Sequence, residues 1–298
     1  FDSLTQPTEP GSGSGSNSGN SGGGAVKIIA GSFSHSGVIT ANGLAGSYAG
    51  AAGGSVWVAV TGSVSGAGTI RTNGANSIWT GNQNGGGGGG RIAFYYDSSQ
   101  PGNSSLSLVF QSFGGIQGTV NVLPERGGAG TIYIERTNVH TAGQATIVVA
   151  NNSVVTGKYT PLPDGTFSLA TIEDGAYAYN NGTMTVQDVL LDNTGQFLAL
   201  TLNTNNFTAT TSSLLTHEFT NTSTIYRQLL TSTGTISIDA TSTIQADGRG
   251  LLTGWTSNGS SGQTFWAGDR SGGSHGGRGG GQDNGLDGSP SPYGSIPQ

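Results

Sequence analysis

"NGGGGGGRIAFYYD" occupies Asn84 to Asp97. Six glycines run directly into an apolar and aromatic stretch. Glycine has the most backbone freedom to lose on folding, so it weakens helices and strands alike. Its place beside a strand-like segment has two readings. The run is a disordered linker, or it lets backbones approach closer than any side chain permits. Phase favours the second. Glycine followed by strand also occurs in "GGGAVKIIA" ending at Ala30, "GGSVWVAV" from Gly53 to Val60, and "GGAGTIYIE" from Gly127 to Glu135. The four apolar segments begin at Val26, Val56, Ile92 and Ile132, a spacing in the range of stacked repeat architectures.

A second motif interleaves with the first. "SGVITANG" starts at Ser36, "AGTIRTNG" at Ala67 and "TSTIQADG" at Thr241. Each centres on Ile and closes on Asn-Gly or Asp-Gly, which are turn dipeptides. No stretch carries a helical period with caps. The expected fold is all-β, a parallel β-helix or solenoid whose coils stack to make one continuous core. Glycine runs at the same point of successive coils are expected to pack as polyproline-II-like segments, bonded laterally through their N–H groups. Three sections are read: 1–140, glycine-rich solenoid; 141–230, Thr- and Asn-rich, continuing the solenoid in wider coils; 231–298, a β coil and a glycine-rich tail that joins the next copy. A separate β-sandwich is the alternative for the middle section.

Composition narrows the function. The chain has 298 residues, 55 Gly, no Cys and 9% charged residues. Its net charge of −6 and lack of a basic run argue against nucleic-acid binding. No apolar run reaches the roughly 18 residues that span a bilayer. Without cysteine there is no disulfide framework, thiolate zinc site or thiol nucleophile. The start at Phe1 reads as a processed product or a piece of something longer.

The order "GGSHGGRGG", "YGS", "PTEPGSGSG", "GGGAVKI", "ITANG", "GGSVWV", "GTIRTNG" and "GGGGGGRIAFYY" resembles a glycine-rich repeat of very long extracellular proteins. Such proteins occur in bacteria, oomycetes, algae and land plants, and "GGAGTIYIE" and "TPLPDG" fit the same pattern. The resemblance covers the first 140 residues and the last 60 well, and the middle weakly. In that family the "SHGGRGG" segment precedes "PGSGSG". Here it follows, so the family order is recovered only by reading from Gln298 onward into Phe1. The resemblance thus implies an extracellular, surface-associated role, no established catalysis, and one period of a head-to-tail array of copies. Phe1, Leu4, Pro7, Pro10, His275, Arg278, Tyr293 and Ile296 are the expected junction residues.

Little else carries chemistry. His35, His140, His217 and His275 lack partners at metal-ligand spacing. His275 and Arg278 read as groups that organise glycine loops. Asp97, Asp164, Asp174, Asp192, Asp247, Asp269, Asp283 and Asp287 sit in turns. "GGGQDNGLDGS" makes Asp283 and Asp287 candidate calcium ligands, without the spacing of an EF-hand or of the nonapeptide repeat. No other cofactor and no catalytic residue is expected. Asn103, Asn151, Asn181, Asn206, Asn221 and Asn258 begin glycosylation sequons. Trp57, Trp79, Trp255 and Trp266 read as packing residues or as sugar-stacking platforms. The expected function is a structural repeat unit of an extracellular fibre or giant surface protein. The alternatives are an adhesin that binds surface glycans and, less favoured, a polysaccharide-active β-helix enzyme, which needs convergent carboxylates in one groove.

Overall fold

The computed structural model describes residues 3–15, 20–78, 84–116, 126–137, 143–219 and 226–250. Among them there is no helix. The strands of the first half are β1 (Ala25–Ala30), β2 (Phe33–Ser34), β3 (Val38–Thr40), β4 (Ser55–Val60), β5 (Val64–Ser65), β6 (Thr69–Arg71), β7 (Arg91–Tyr96), β8 (Val109–Gln111) and β9 (Thr131–Arg136). Those of the second half are β10 (Ala145–Ala150), β11 (Thr160–Pro161), β12 (Gly165–Glu173), β13 (Tyr177–Leu191), β14 (Gln196–Ala209), β15 (Leu214–Thr216), β16 (Leu229–Ser232), β17 (Ile236–Ile238) and β18 (Thr243–Ile244). They form one large, mostly parallel sheet of thirteen strands and two small sheets, β2-β5 and β3-β6-β8. The chain clusters into two compact units, Phe1–Thr216 with Gln228–Gln245, and His217–Arg227 with Ala246–Gln298.

The register of the first half follows the glycine-strand motif. Val26, Val56, Ile92 and Ile132 stand in one row across β1, β4, β7 and β9. Side chains alternate along a strand, so Val56, Val58 and Val60 share a face with Ile92, Phe94 and Tyr96. That face packs with Ile70 and Val64 into one buried cluster. The second motif builds the facing sheet, where Ile39 pairs Ile70 and Ile70 pairs Phe110. Its third member is therefore β8, in "VFQSFGG", with Phe where the other copies have Ile. "TSTIQADG" lies elsewhere: its strand β18 pairs with β15.

The glycine runs are not linkers. Gly127 donates to the Gly115 carbonyl, Gly115 to Gly87, Gly87 to Ala75, and Ala75 to Ala51, at 2.7–2.9 Å. The bonds to any one neighbour recur every third residue. Gly87 and Gly90 donate to Ala75 and Thr72, Gly127 and Gly130 to Gly115 and Ser112, Gly50 and Gly53 to Gly85 and Gly88. Three residues per turn is the period of polyproline II, against two for a strand. It turns successive amides toward different neighbours, so one segment bonds to several. None of these glycines has a positive φ. What they supply is the missing Cβ, not an unusual conformation.

At β9 the sheet changes sense. β10 pairs with it antiparallel, Ile147 opposite Tyr133 and Val148 opposite Ile132. The core changes face at the same place. Ala93, Tyr133, Ile147 and Val149 belong to a second cluster with Phe167, Ile172, Met184, Leu191, Phe197 and Phe207. Reversing strand direction and core face together amounts to a half-turn about the stacking direction.

Over 141–230, where wider coils are expected, paired residues instead lie closer together in sequence. Steps between paired residues are 30, 36 and 40 along the Val26–Val56–Ile92–Ile132 row. They fall to 19 and 18 along Ala178–Phe197–Leu215. The glycine layer is gone, and tight left-handed corners replace it. Asn152, Ser153, Asp174, Asn193, Thr194, Thr211 and Ser212 all have φ between 43° and 64°. They bond to one another in series: Gly175 donates to the Asn193 carbonyl and Thr194 to that of Thr211.

Asparagine ties the corners of the first half. The Asn42 Oδ1 accepts the Asn73 amide at 2.7 Å, and the Asn73 Oδ1 accepts the Phe113 amide at 2.9 Å. The Asn76 Oδ1 accepts from Ile116 at 2.8 Å, and the Asn151 Oδ1 from Gly114 at 2.7 Å.

Candidate assembly interface

Among the described residues, core rows run out to both ends of the large sheet without a polar cap. At one end β1 has, among the described residues, a neighbouring strand on one side only. Its Val26 and Ile28 continue the buried rows of β4 but are half-buried. On the opposite face of β1 Ile29 is 71% exposed, and on the opposite face of β3, at the adjoining edge, Val38 is 52% exposed. At the other end the rows Val189–Phe207–Ile236 and Leu191–Ala209–Ile238 leave the core. Phe207 and Ala209 are fully buried, whereas Ile236 and Ile238 are 46% and 43% exposed. Leu229 and Ile244 are exposed beside them. Repeat stacks that stay single close such ends with polar capping coils, and an unpaired strand edge is a template for another chain.

The junction residues expected from the sequence divide. Leu4 and Pro7 are buried. Leu4 belongs to the same cluster as Ala93 and Tyr133, on the face of β7 and β9 away from the first core. The N-terminal segment lies across that face: the Tyr95 hydroxyl donates to the Thr5 carbonyl and the Ser55 hydroxyl to the Glu9 carbonyl, both at 2.6 Å. Burial, then the nearby Glu135 carboxylate, pushes the Tyr95 phenol up to about 12, so it stays a proton donor at neutral pH. These contacts engage Leu4 and Pro7 within their own chain, whereas Pro10 is exposed. Phe1, His275, Arg278, Tyr293 and Ile296 lie outside the described residues. So do the calcium candidates Asp283 and Asp287, together with Asp269, Trp79, Trp255, Trp266 and His140.

A groove of about 600 Å³ runs over the glycine layer, between Glu9–Ser12 and Tyr159–Pro161. Its floor includes Gly53, Gly88 and Gly128. Tyr159 packs against Tyr179 and Tyr177 at interplanar angles of 52° and 86°. That is a tilted cluster, not the coplanar platform a sugar ring stacks on. Trp57 is no platform either, since the Lys27 ammonium sits 3.8 Å above its ring.

The titratable groups serve the fold. His35 Nε2 meets the Thr69 carbonyl oxygen and His217 Nδ1 that of Glu218. No group of three or more His, Asp or Glu that could hold a metal ion occurs among the described residues. Glu173 is held above the usual carboxylate range by burial and by Asp174 and Asp192, whereas Asp239 is held well below it by the Thr211 amide and by Ser242 and Thr241. Of the described sequon asparagines, Asn103 and Asn151 are fully buried. The Asn103 Nδ2 donates to the Gly62 and Asp97 carbonyls, so it offers no amide for glycosylation. The Asn206 Nδ2 donates to Asp188, and Asn181 is exposed. No protein-family model, curated protein or solved structure matches the chain.

Proposed function

We propose that this chain is a structural module that assembles head to tail with copies of itself into an extracellular fibre or surface array. Each copy is read as two short β-solenoid blocks of opposite strand sense, joined at the β9–β10 pair and welded along one side by the glycine layer. The single observation that carries the reading is that, among the described residues, the core rows end uncovered at both ends. Burying an exposed Ile or Leu in a new layer is worth about 1.5–3 kcal/mol, and several stand ready at each end. The two ends are different surfaces, so their contact is heterologous and generates a linear array.

The test uses one lysine at each end, Ile29→Lys and Ile236→Lys, on the whole chain. Both positions are exposed in the single copy, so each variant should fold with an unchanged melting temperature under dilute conditions. Wild type should form filaments visible by electron microscopy, and neither variant alone should. An equal mixture should stop at dimers in sedimentation velocity, because the intact tail of one variant meets the intact head of the other. A wild type that stays monomeric at high concentration overturns the proposal. Variants that each dimerise alone replace head-to-tail contact with end-to-like-end contact.

A further inference from the structure

We infer that the concave corner built on Asn42, Asn73 and Asn76 is a binding site for a neutral polysaccharide chain. The groove holds about 430 Å³, within the range of ligand sites. Its asparagines are oriented by the fold. Each spends its Oδ1 on the backbone amide of the next coil, at 2.7–2.9 Å. A carboxamide is planar, with oxygen and nitrogen on opposite sides of one carbon. Fixing the oxygen against the coil above therefore fixes the NH₂ away from it. None of the three NH₂ groups bonds to another described residue, and none is buried without a partner. The result is a set of pre-aimed donors, with Asn42 and Asn73 one coil apart, roughly the 4.8 Å strand spacing.

The rest of the lining selects the ligand. Phe113, Ile116 and Val154 give apolar surface, and none of the described lining residues is charged. Donor amides beside apolar patches fit sugar rings, which present hydroxyl and ether oxygens at their edges and C–H groups on their faces. A uronate or sulfated chain would find no cation among the described lining residues. A polypeptide edge alternates donors and acceptors, and would set its own N–H groups against the asparagine NH₂ groups. The site is independent of the two open ends and stands whether or not copies assemble.

The structural and binding roles of each asparagine sit on different atoms, so they separate experimentally. Asn73→Asp and Asn76→Asp keep an oxygen for the Phe113 and Ile116 amides and lose the NH₂. The whole chain is titrated with a panel of neutral hexasaccharides, β-1,3- and β-1,4-glucans, mannans and galactans, with oligogalacturonate and a glycine-rich peptide as controls. The expected result is calorimetric binding of at least one neutral glycan, weakened tenfold or more by each Asp variant at an unchanged melting temperature. Asn73→Ala, which removes the oxygen too, should lower that temperature. Binding of no neutral glycan, binding insensitive to the Asp variants, or preference for the uronate or the peptide overturns the assignment.

Discussion

A Cβ on Gly87 would lie 2.0 Å from the Ala51 carbonyl oxygen, and one on Gly90 would lie 2.0 Å from that of Gly54. No rotamer relieves this, because both partners are backbone. In the same run of six, Gly88 faces the groove, and its nearest non-neighbour atom would be 3.9 Å from an added Cβ. The layer therefore predicts opposite outcomes for adjacent positions. Gly87→Ala should cost about 2–4 kcal/mol, from overpacking and from the lateral hydrogen bonds it forces apart. Gly88→Ala should be neutral or should stabilise by up to about 1 kcal/mol, since alanine narrows the unfolded ensemble at no native cost. Urea unfolding of the two variants decides it; equal losses would mean the run does not pack this way. The sequence shows that glycine recurs in phase with the strands. It does not show which glycine of six is dispensable, because that depends on which coil each residue faces.

Elements in this chain are joined by side chains that complete the backbone of a neighbouring segment. The residues in the Asn-Gly turns do this, and their role was half legible. The turn dipeptides mark the corners, but the upward bond from Oδ1 belongs to the stack. Register was the most readable feature, since Val26, Val56, Ile92 and Ile132 are both the sequence repeat and the paired row. The β9–β10 reversal and the narrow coils were not readable. A buried strand looks the same in either direction, and left-handed Asn193-Thr194 and Thr211-Ser212 carry no glycine signal. One such corner gives a pH prediction. Asp239 accepts the Thr211 amide at 2.7 Å and also caps Thr241 and Ser242. Its carboxylate is held below its unfolded value of 3.8. A depressed folded pKa means that the stabilisation is complete above about pH 4 and is lost as pH falls toward the folded value. Asp239→Asn should therefore lower stability at pH 7 and lower it less at pH 2, where the unfolded carboxyl is fully protonated and part of the stabilisation has gone. Chemical denaturation at both pH values checks this. An equal loss at both would assign Asp239 a role that does not depend on its charge.

On the scale of the whole molecule, a stack in which each layer touches only its neighbours is least stable where a neighbour is missing. Among the described residues, fully buried side chains lie in β4, β6, β7, β10, β12, β13, β14 and β15, and the thin rows are in β1 and β16–β18. Hydrogen exchange of the single copy should follow that profile, slowest in β7 and β13 and fastest in β1 and β17. Assembly then makes a second demand that intrinsic fraying does not. If copies stack end on end, raising the concentration should slow exchange in β1, β3, β16 and β17 together, and should leave β7 and β13 as they were. Anything that binds only the native form adds stability by mass action, so the melting temperature should climb with concentration over the same range. The lysine variants at Ile29 and Ile236 should keep the single-copy gradient and lose the concentration dependence. A gradient that never responds to concentration would leave the open ends as mere fraying and remove the basis for the array. Ends that are already slow in the dilute chain would mean that the core is closed there and has no reason to recruit another copy.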